Sequence, residues 1–337
     1  MKHIIFHIVL IVAAAQTVIC QSILPNLGGQ RAGISSLQFL KIGVGGQGSA
    51  MEESMAAVAN DVSALYWNPA GVVLDESNGA MFAHAEWLVD LKHDFIGAIY
   101  HLTSADVVGL SCISLRTDDM PVTTETQPFG NGTYFQYSDL AIGLTYSRKM
   151  TSQFSFGATA KYVEEDLAVL KMRTFLFDFG TFYKTGLGSS RIGVVVSNFG
   201  SDVAPAGQVT ALDGSTISSF QSFTPPTVFK LGFAFEPYQT EQNRITTSVQ
   251  LNHPNDNAED IRFGVEYAWS EWLMLRAGLR RTVGGSWLSA NSNTADNYSF
   301  GIGVVAPLSF TKLTFDYAYT DFGDLGAVHR ISCSMTY

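Results

Sequence analysis

Side chains that could bind metals are scattered along the 337-residue sequence. Carboxylates cluster in residues 164–166 (EED) and 252–260 (NHPNDNAED), which hold oxygen ligands of the kind that calcium prefers. Neither cluster has the ligand spacing of a calcium-binding loop, so we interpret both as solvated acidic turns. Zinc-ligand spacing is also lacking among the histidines His84, His93, His101, His253 and His329. We predict no metal site.

Catalytic motifs do not stand out either. No serine is surrounded by a nucleophile motif, although Ser, His and Asp are all present. Gly43, Gly45 and Gly48 have the spacing of a dinucleotide-binding fingerprint. That fingerprint has meaning only in a strand–helix–strand unit, and no second or third helical pattern follows it. We predict no catalytic residues, no cofactor and no enzymatic activity.

The glycines belong to a stretch, residues 39–72, that predicts a compact helical segment. It begins with a bend that contains Gly43, Gly45, Gly46 and Gly48. Ser49 and Glu52 have the spacing of a capping box, and Met51, Met55 and Val58 then share one apolar helical face. We predict one helix that begins at Ser49 and ends near residue 60.

A tight turn closes this stretch at Trp67, Asn68, Pro69, Ala70 and Gly71. Pro69 presets its own φ angle, and Gly71 leaves room for close backbone approach. The turn either fixes a packed segment or only leads into the first strand, and the two interpretations are compatible.

The beginning of the chain predicts export. Lys2 precedes an apolar run over residues 4–15, which is too short to span a bilayer and is typical of a secretory signal. We assign residues 1–20 to the signal peptide and residues 21–38, which are polar and aperiodic, to a flexible lead-in.

Composition limits the class of protein. Charged residues make up 15% of the chain, against about 25% in an average soluble domain. The net charge of −10 argues against nucleic acid as a partner. Two cysteines follow the signal, Cys112 and Cys333, and the strand pattern puts them on strands that are not neighbours, so no disulfide is predicted.

From residue 80 onward, large apolar residues alternate with small or polar ones. Residues 226–236 and 258–269 show this period-two pattern most clearly. The expected strands cover 80–89, 92–102, 106–115, 136–148, 154–166, 173–185, 191–198, 226–236, 243–252, 258–269, 273–282, 297–306, 312–319 and 326–337. Their lengths suit tilted strands that cross a bilayer, where open sheet edges cannot exist. We predict an all-β fold, a transmembrane antiparallel β-barrel of about 14 strands over residues 80–337.

The polar face of such strands should line the barrel lumen. An Arg or Lys in mid-bilayer lipid costs roughly 2–4 kcal/mol, so charged side chains should point inward. The expected lumen-facing charges are Lys161, Arg262, Glu266, Arg276, Arg280, Asp316 and Arg330. Arg262 with Glu266, and Arg276 with Arg280, are the expected members of a charged ladder.

Loop lengths predict the orientation. The long connections, 116–135, 199–225 and 283–296, all follow odd-numbered strands. Outer-membrane barrels have long outer loops and short periplasmic turns, so both mature termini should be periplasmic, in a bacterial outer membrane. Tyr337 gives the chain an aromatic C-terminus, which is typical of an insertion signal.

A barrel of this size has a lumen that its own wall side chains cannot fill. Residues 39–79 precede the first strand, should start from the periplasmic side of the barrel, and carry apolar and small side chains. We therefore predict that they form an N-terminal helical plug segment, with Gly43, Gly45, Gly46, Trp67, Asn68, Pro69 and Gly71 as its motif.

The same stretch carries a family resemblance. The pattern FLKIGVGG, followed by AVANDVSALYWNPAG, resembles the N-terminal signature of PorV/PorQ proteins, which belong to the wider group of FadL-like outer-membrane barrels. The resemblance covers about thirty-five residues. It implies a fourteen-stranded barrel and a part in type IX secretion.

Two functions remain open at this point. The PorV/PorQ resemblance implies binding to the secretion translocon or to exported proteins that carry a C-terminal sorting domain. The alternative, which the FadL-like group implies, is a channel for uptake of hydrophobic small molecules. With either function, the barrel would be surrounded by outer-membrane lipid.

Overall fold

A computed structural model describes residues 33–211, 214–283 and 297–337. The expected signal peptide, most of the expected lead-in and most of the connection at 283–296 lie outside the described residues. No helix among the described residues is long and apolar enough to cross a membrane.

The fold is a closed barrel of fourteen antiparallel strands, which confirms the predicted architecture. The strands, labelled β1–β14 here, are Gly79–Glu86, Lys92–His101, Asp106–Arg116, Tyr137–Lys149, Phe154–Leu167, Leu170–Lys184, Arg191–Gly200, Val228–Gln239, Asn243–Pro254, Asp260–Trp269, Leu273–Thr282, Tyr298–Pro307, Lys312–Asp321 and Ala327–Thr336. Each strand pairs with the next in sequence, and β14 pairs with β1 from Gly79↔Thr336 to Glu86↔His329. Closure leaves the barrel without a free edge.

Two pairs of very short strands lie in the long connections. They are Met120–Pro121 with Tyr134–Phe135, and Val209–Thr210 with Thr216–Ile217. The prediction treated these connections as loops, because two-residue pairings leave no measurable alternation in a sequence.

Strand ends differ from the prediction where the backbone forces a change. β1 stops at Glu86 because Val89 and Asp90 adopt φ angles of 60° and 58° in a tight turn. β8 starts at Val228, after Pro225 and Pro226, which have no N–H to donate to the ladder.

Two bulges shift the register inside the wall. One lies between Phe235 and Tyr238 on β8, beside Pro237. The other lies on β7 at Asn198, opposite Asp178. Asn198 has a φ angle of 59°, and its N–H donates to Asp178 Oδ1 at 2.7 Å. Bulges of this kind increase the local twist of the wall.

The barrel has two distinguishable rims. The terminal rim is the one at which β1 begins and β14 ends, and there Tyr337 exchanges backbone hydrogen bonds with Asn78 at 2.9 and 3.1 Å. The loop rim is the opposite one, at which β3, β7 and β11 end and the long connections start. As predicted, the long connections follow odd-numbered strands and therefore lie at the same rim.

The large apolar side chains point outward along the wall. On β4, Ile142, Leu144 and Tyr146 are exposed, whereas Ala141, Thr145 and other alternate residues are buried. This pattern reverses that of a water-soluble barrel and is the pattern of a barrel surrounded by lipid.

The hydrophobic core lies inside the barrel and centres on residues 33–78, which we call the inner segment. Its helices are α1, Gly46–Ala50, and α2, Ala64–Trp67, with 3₁₀ turns at Gln38–Lys41 and Pro69–Gly71. Two further 3₁₀ turns, Leu88–Asp90 and Gly323–Leu325, lie between barrel strands.

The predicted helix from Ser49 to residue 60 is wrong. The chain turns out of α1 at Glu52 and Glu53, which have φ angles of 48° and 61°. Ser49 Oγ donates to Gly45 O at 2.8 Å instead of capping a new helix. Met51 and Met55 are both fully buried, because the barrel wall surrounds this part of the segment.

Candidate functional site: the filled lumen and its cavity

The inner segment packs against a ring of glycines in the barrel wall, which we call the glycine belt. At each of these glycines an added Cβ would collide with or press on the inner segment: Gly79, Gly97, Gly109, Gly157, Gly180, Gly193, Gly232, Gly264, Gly278 and Gly301. At Gly278 that atom would lie 2.5 Å from Met51 C, and at Gly157 it would lie 2.6 Å from Ala70 N. Absent Cβ atoms therefore create the space that the segment occupies.

Wall side chains hold the segment through its backbone. Gln250 Oε1 accepts from Ala56 N at 2.8 Å, and Arg191 Nε donates to Ala57 O at 2.8 Å. Ser155 Oγ donates to Ala70 O at 2.8 Å. Similar bonds join Ser332 to Gly46 and Ser299 to Ala50, each at 2.9 Å. These bonds satisfy backbone groups that have no regular helix or sheet to pair with.

The turn predicted at residues 67–71 is one of the attachment points. Asn68 Nδ2 donates to Ala56 O at 2.7 Å and to Thr181 O at 3.1 Å, and Asn68 Oδ1 accepts from Ala70 N at 3.0 Å. Pro69 starts a 3₁₀ turn at this point. The turn thus joins two parts of the segment to β6, which is more than a lead into the first strand.

Trp67, another motif residue, packs against glycines from the start of the inner segment. Its buried indole lies edge-on to Tyr66, with ring centroids 4.7 Å apart, and covers Gly43 and Gly48. A Cβ on Gly48 would lie 2.5 Å from the indole ring. Gly45 packs against Met81 and Gly46 against Asp316, both in the wall, and Gly71 packs against Ala59. The role of these motif residues stays a prediction.

The seven charged residues predicted to face the lumen all have inward-pointing side chains. Arg276 is 5% exposed, Glu266 is 4% exposed and Arg330 is 2% exposed. Arg276 donates to Glu266 at 2.7 Å and to Asp316 at 2.6 Å. Lys161 pairs with Asp178 at 2.8 Å.

The register of the strands sets the ion pairs within this group of charges. Glu266 pairs with Arg276, which is directly opposite it on the next strand, rather than with Arg262. Arg262 instead contacts Asp260 at 2.6 Å and Glu53 of the inner segment. Residues four apart on one strand are separated by roughly 13 Å, whereas opposite residues are about 5 Å apart, so register decides the pairs.

The pKa values of two adjacent carboxyl groups in the inner segment are shifted in opposite directions. Burial, with a contribution from the Glu53 carboxylate, raises the pKa of Glu52 to about 7. Burial also acts to raise the pKa of Glu53, but the Arg262 guanidinium outweighs it and lowers that pKa. Glu52 Oε1 is buried and has no hydrogen-bond partner among the described residues, which suits a protonated carboxylic acid.

A cavity of about 370 Å³ lies between the inner segment and the loop rim. Its aromatic lining is Tyr66, Trp67, Trp87 and Phe322. Its charged lining consists of four basic and two acidic side chains, namely Lys41, Lys230, Arg262, Arg280, Glu53 and Asp260. The ammonium of Lys230 lies 5.4 Å from the Tyr66 ring centroid and 5.7 Å from the Trp67 centroid.

Sequence reasoning missed Lys230, although the signal was present. Lys230 alternates with Phe229 and Leu231 on a predicted strand, and the same cost argument that turned Arg262 inward applies to it. Tyr66, Glu53 and the other lining residues from the inner segment carried no such signal.

The inner segment reaches the barrel from an unexpected side. We expected it to start at the rim where Tyr337 ends. Instead, Ser36 N donates to Thr224 O at 3.3 Å and Lys41 pairs with Asp256 at 2.9 Å, both at the loop rim. The described chain therefore crosses the lumen from the loop rim to Asn78 at the terminal rim, and the mature N-terminus itself lies outside the described residues.

The comparisons with known proteins rest on structure alone. No protein-family model and no curated protein matches the sequence. The fold is similar to the CymD monoaromatic hydrocarbon channel, with a TM-score of 0.58 and 14% identity over 87% of this chain and 96% of that one. It is also similar to the Pseudomonas putida toluene transporter TodX, with a TM-score of 0.58 and 11% identity over 90% and 98% of the two chains.

A third solved structure, a Pseudomonas aeruginosa FadL homologue, has a TM-score of 0.53 and 15% identity over 88% of this chain and 98% of that chain. Identities this low establish a shared fold and no more. The protein therefore has the fold of FadL-like barrels, along nearly their whole length. None of these neighbours bears specifically on the PorV/PorQ signature.

Proposed function

We propose that this protein is an outer-membrane channel for the uptake of hydrophobic small molecules. The observation that carries the proposal is the aromatic-lined cavity inside a closed barrel, open toward the loop rim and closed below by the inner segment. Its volume lies near the small end of the roughly 300–1,000 Å³ of ligand pockets. The hydrocarbon channels of the same fold support this class of cargo.

Passage requires the inner segment to move. A second cavity, of about 360 Å³, lies on the terminal-rim side and is lined by Val58, Asn60 and Leu74 of the segment and by wall residues that include Arg191 and Glu236. In the proposed orientation the loop rim faces outward and the terminal rim faces the periplasm. A solute would enter the first cavity, and displacement of the segment would open the way to the second.

Uptake by whole cells tests the channel. Cells that lack their own channels for hydrophobic compounds would carry the mature protein in the outer membrane, and entry of radiolabelled toluene would be followed. We expect faster entry than in cells that carry a plugged barrel of unrelated function. Equal rates in the two strains would overturn the proposal.

A second function is supported by the outer surface of the loop rim. The connection between β3 and β4 carries exposed aromatic side chains, with Phe129 98% exposed and Tyr134 65% exposed. Tyr134 and Met120 line an open cleft of about 930 Å³ beside it. A cleft of this kind, together with the PorV/PorQ-like signature, supports binding of a secretion translocon or of exported proteins with a C-terminal sorting domain.

A native pull-down distinguishes the two functions. The protein would be isolated from detergent-solubilised outer membrane, and co-purified proteins and small molecules would be identified by mass spectrometry. Recovery of a translocon subunit, or of exported proteins that share one C-terminal domain, would favour secretion. A lone barrel with bound hydrophobic small molecules would favour the channel.

A further inference from the structure

The charges around the loop-rim cavity are not balanced. The two carboxylates that line it are both held by arginines: Glu53 by Arg262, and Asp260 by Arg262 and, at 3.3 Å, by Arg280. Lys41 has its own carboxylate partner, Asp256, at 2.9 Å. Among the described residues, none offers Lys230 a hydrogen bond or an ion pair.

The neutral polar side chains near Lys230 form hydrogen bonds with other groups. Gln250 Oε1 accepts from Ala56 N, and Asn252 Oδ1 accepts from Gln250 Nε2 at 2.8 Å. Asn198 Oδ1 accepts from Lys161. Each of these oxygens therefore accepts from a donor other than Lys230, and the Lys230 ammonium lies over the faces of two aromatic rings.

A second unpartnered donor lines the same cavity. Arg280 Nε is buried and has no hydrogen-bond partner in the part of the chain that the structure describes. A buried donor without an acceptor is costly, and the half-buried Lys230 ammonium has no counter-ion among the described residues. An anion in the cavity would supply what both groups lack.

We propose that the loop-rim cavity binds a small organic anion with a flat apolar body. The anionic group pairs with Lys230, and the body packs against Trp67 and Tyr66, whose rings form the floor of the cavity. The cavity volume of about 370 Å³ suits one small aromatic acid rather than a long lipid chain or a peptide. The inference deepens the proposed channel function and rests on it for physiological meaning, since it assigns a charge to the cargo.

Binding to the purified protein tests the charge of the ligand. Calorimetry on the mature protein in detergent would compare benzoate with benzamide, which has nearly the same shape and no charge. We expect benzoate to bind at least about tenfold more tightly, the size of one charged hydrogen bond. Equal affinities, or tighter binding of benzamide, would overturn the proposal.

Substitutions locate the effect. Lys230→Met should abolish the preference for benzoate, and Lys230→Arg should keep it. Lys312→Met is the matched control, because Lys312 is exposed at the opposite rim. Loss of the preference in the control, or its persistence in Lys230→Met, would contradict the assignment.

Lysine modification gives a readout that needs no variant. Benzoate should slow acetylation of Lys230 in the native protein and leave that of Lys312 unchanged, as measured by mass spectrometry of peptides. Unchanged acetylation of Lys230 at saturating benzoate would overturn the site.

The outcomes separate this site from the channel. Benzoate binding without uptake of either toluene or benzoate by cells would overturn the channel and keep the site. Uptake without any preference for benzoate would overturn the site and keep the channel.

Discussion

Arg276 shows how a single residue can stabilise the lumen. It is buried between Glu266 and Asp316, so its guanidinium neutralises two buried carboxylates. Removing one member of a buried charge cluster leaves the others uncompensated.

We therefore predict that Arg276→Met lowers the free energy of unfolding by about 3–5 kcal/mol. Urea titration in detergent or lipid would measure it. Arg173→Met is the control, since Arg173 forms an exposed pair with Glu164 that is worth about 0–1 kcal/mol. A similar small loss in both variants would show that the buried cluster does not stabilise the barrel.

Glu52 should make the packing of the inner segment depend on pH. Burial raises its pKa from 4.5 to about 7, so its protonated form is favoured in the folded protein. Its full contribution is present below pH 4.5, declines as the pH rises to about 7 and is constant above that.

Glu52→Gln should remove this dependence, so that its advantage over the native protein grows by roughly 2–4 kcal/mol across the same range. Glu53→Gln should instead be less stable than the native protein by an amount that is constant above pH 4.5 and shrinks as the pH falls below 4.5, because Arg262 lowers the pKa of Glu53. Urea midpoints at several pH values would measure both. Parallel curves for the native protein and Glu52→Gln would refute the expected titration.

At the scale of elements, the glycine belt decides how closely the segment approaches the wall. A side chain at Gly193 would meet the carbonyl oxygen of Ala56, which is fixed backbone. A side chain at Gly143 would meet Ser111 Oγ at 2.7 Å and other wall side chains, and not the segment.

We predict that Gly193→Ala displaces the inner segment and raises ion conductance in planar bilayers at least several-fold, while the barrel itself persists. Gly143→Ala should leave conductance near that of the native protein. Equal conductance of the two variants would show that the belt does not set the position of the segment.

At the scale of the whole molecule, the outward face should lie in lipid. Leu144 is 62% exposed near the middle of β4. Leu144→Arg should make folding into phospholipid vesicles less favourable by about 2–4 kcal/mol. Phe129→Arg is the control, because Phe129 is almost fully exposed in a loop. Equal costs for both would place Leu144 outside the hydrocarbon.

The barrel as a whole could be predicted because one physical rule acts on every strand. A residue such as Leu144 must face lipid and its neighbour Thr145 must not, so large apolar residues alternate with small or polar ones in the sequence of each strand. The charged residues could be turned inward by the same rule. Their partners could not, because Glu266 meets Arg276 only through the register of two strands.

The inner segment marks the limit of such reasoning. Its composition indicated that it fills the lumen, yet Ser49 and Glu52, which signal a helix in water, do not start one there. Capping and periodicity signals of this kind predict a helix that has one side facing solvent. Inside the barrel, contacts with ten different wall glycines and with Gln250, Ser299 and Ser332 determine the path instead.

The sequence by itself determined the fourteen strands, their inward and outward faces and the side of the long connections, since each depends on local alternation and on the cost of charge in lipid. Only the tertiary structure decided the direction in which the inner segment crosses the lumen, the partners of the buried charges and the isolation of Lys230 above Tyr66 and Trp67. These depend on atoms distant in the chain that closure of the barrel brings within a few ångströms of one another.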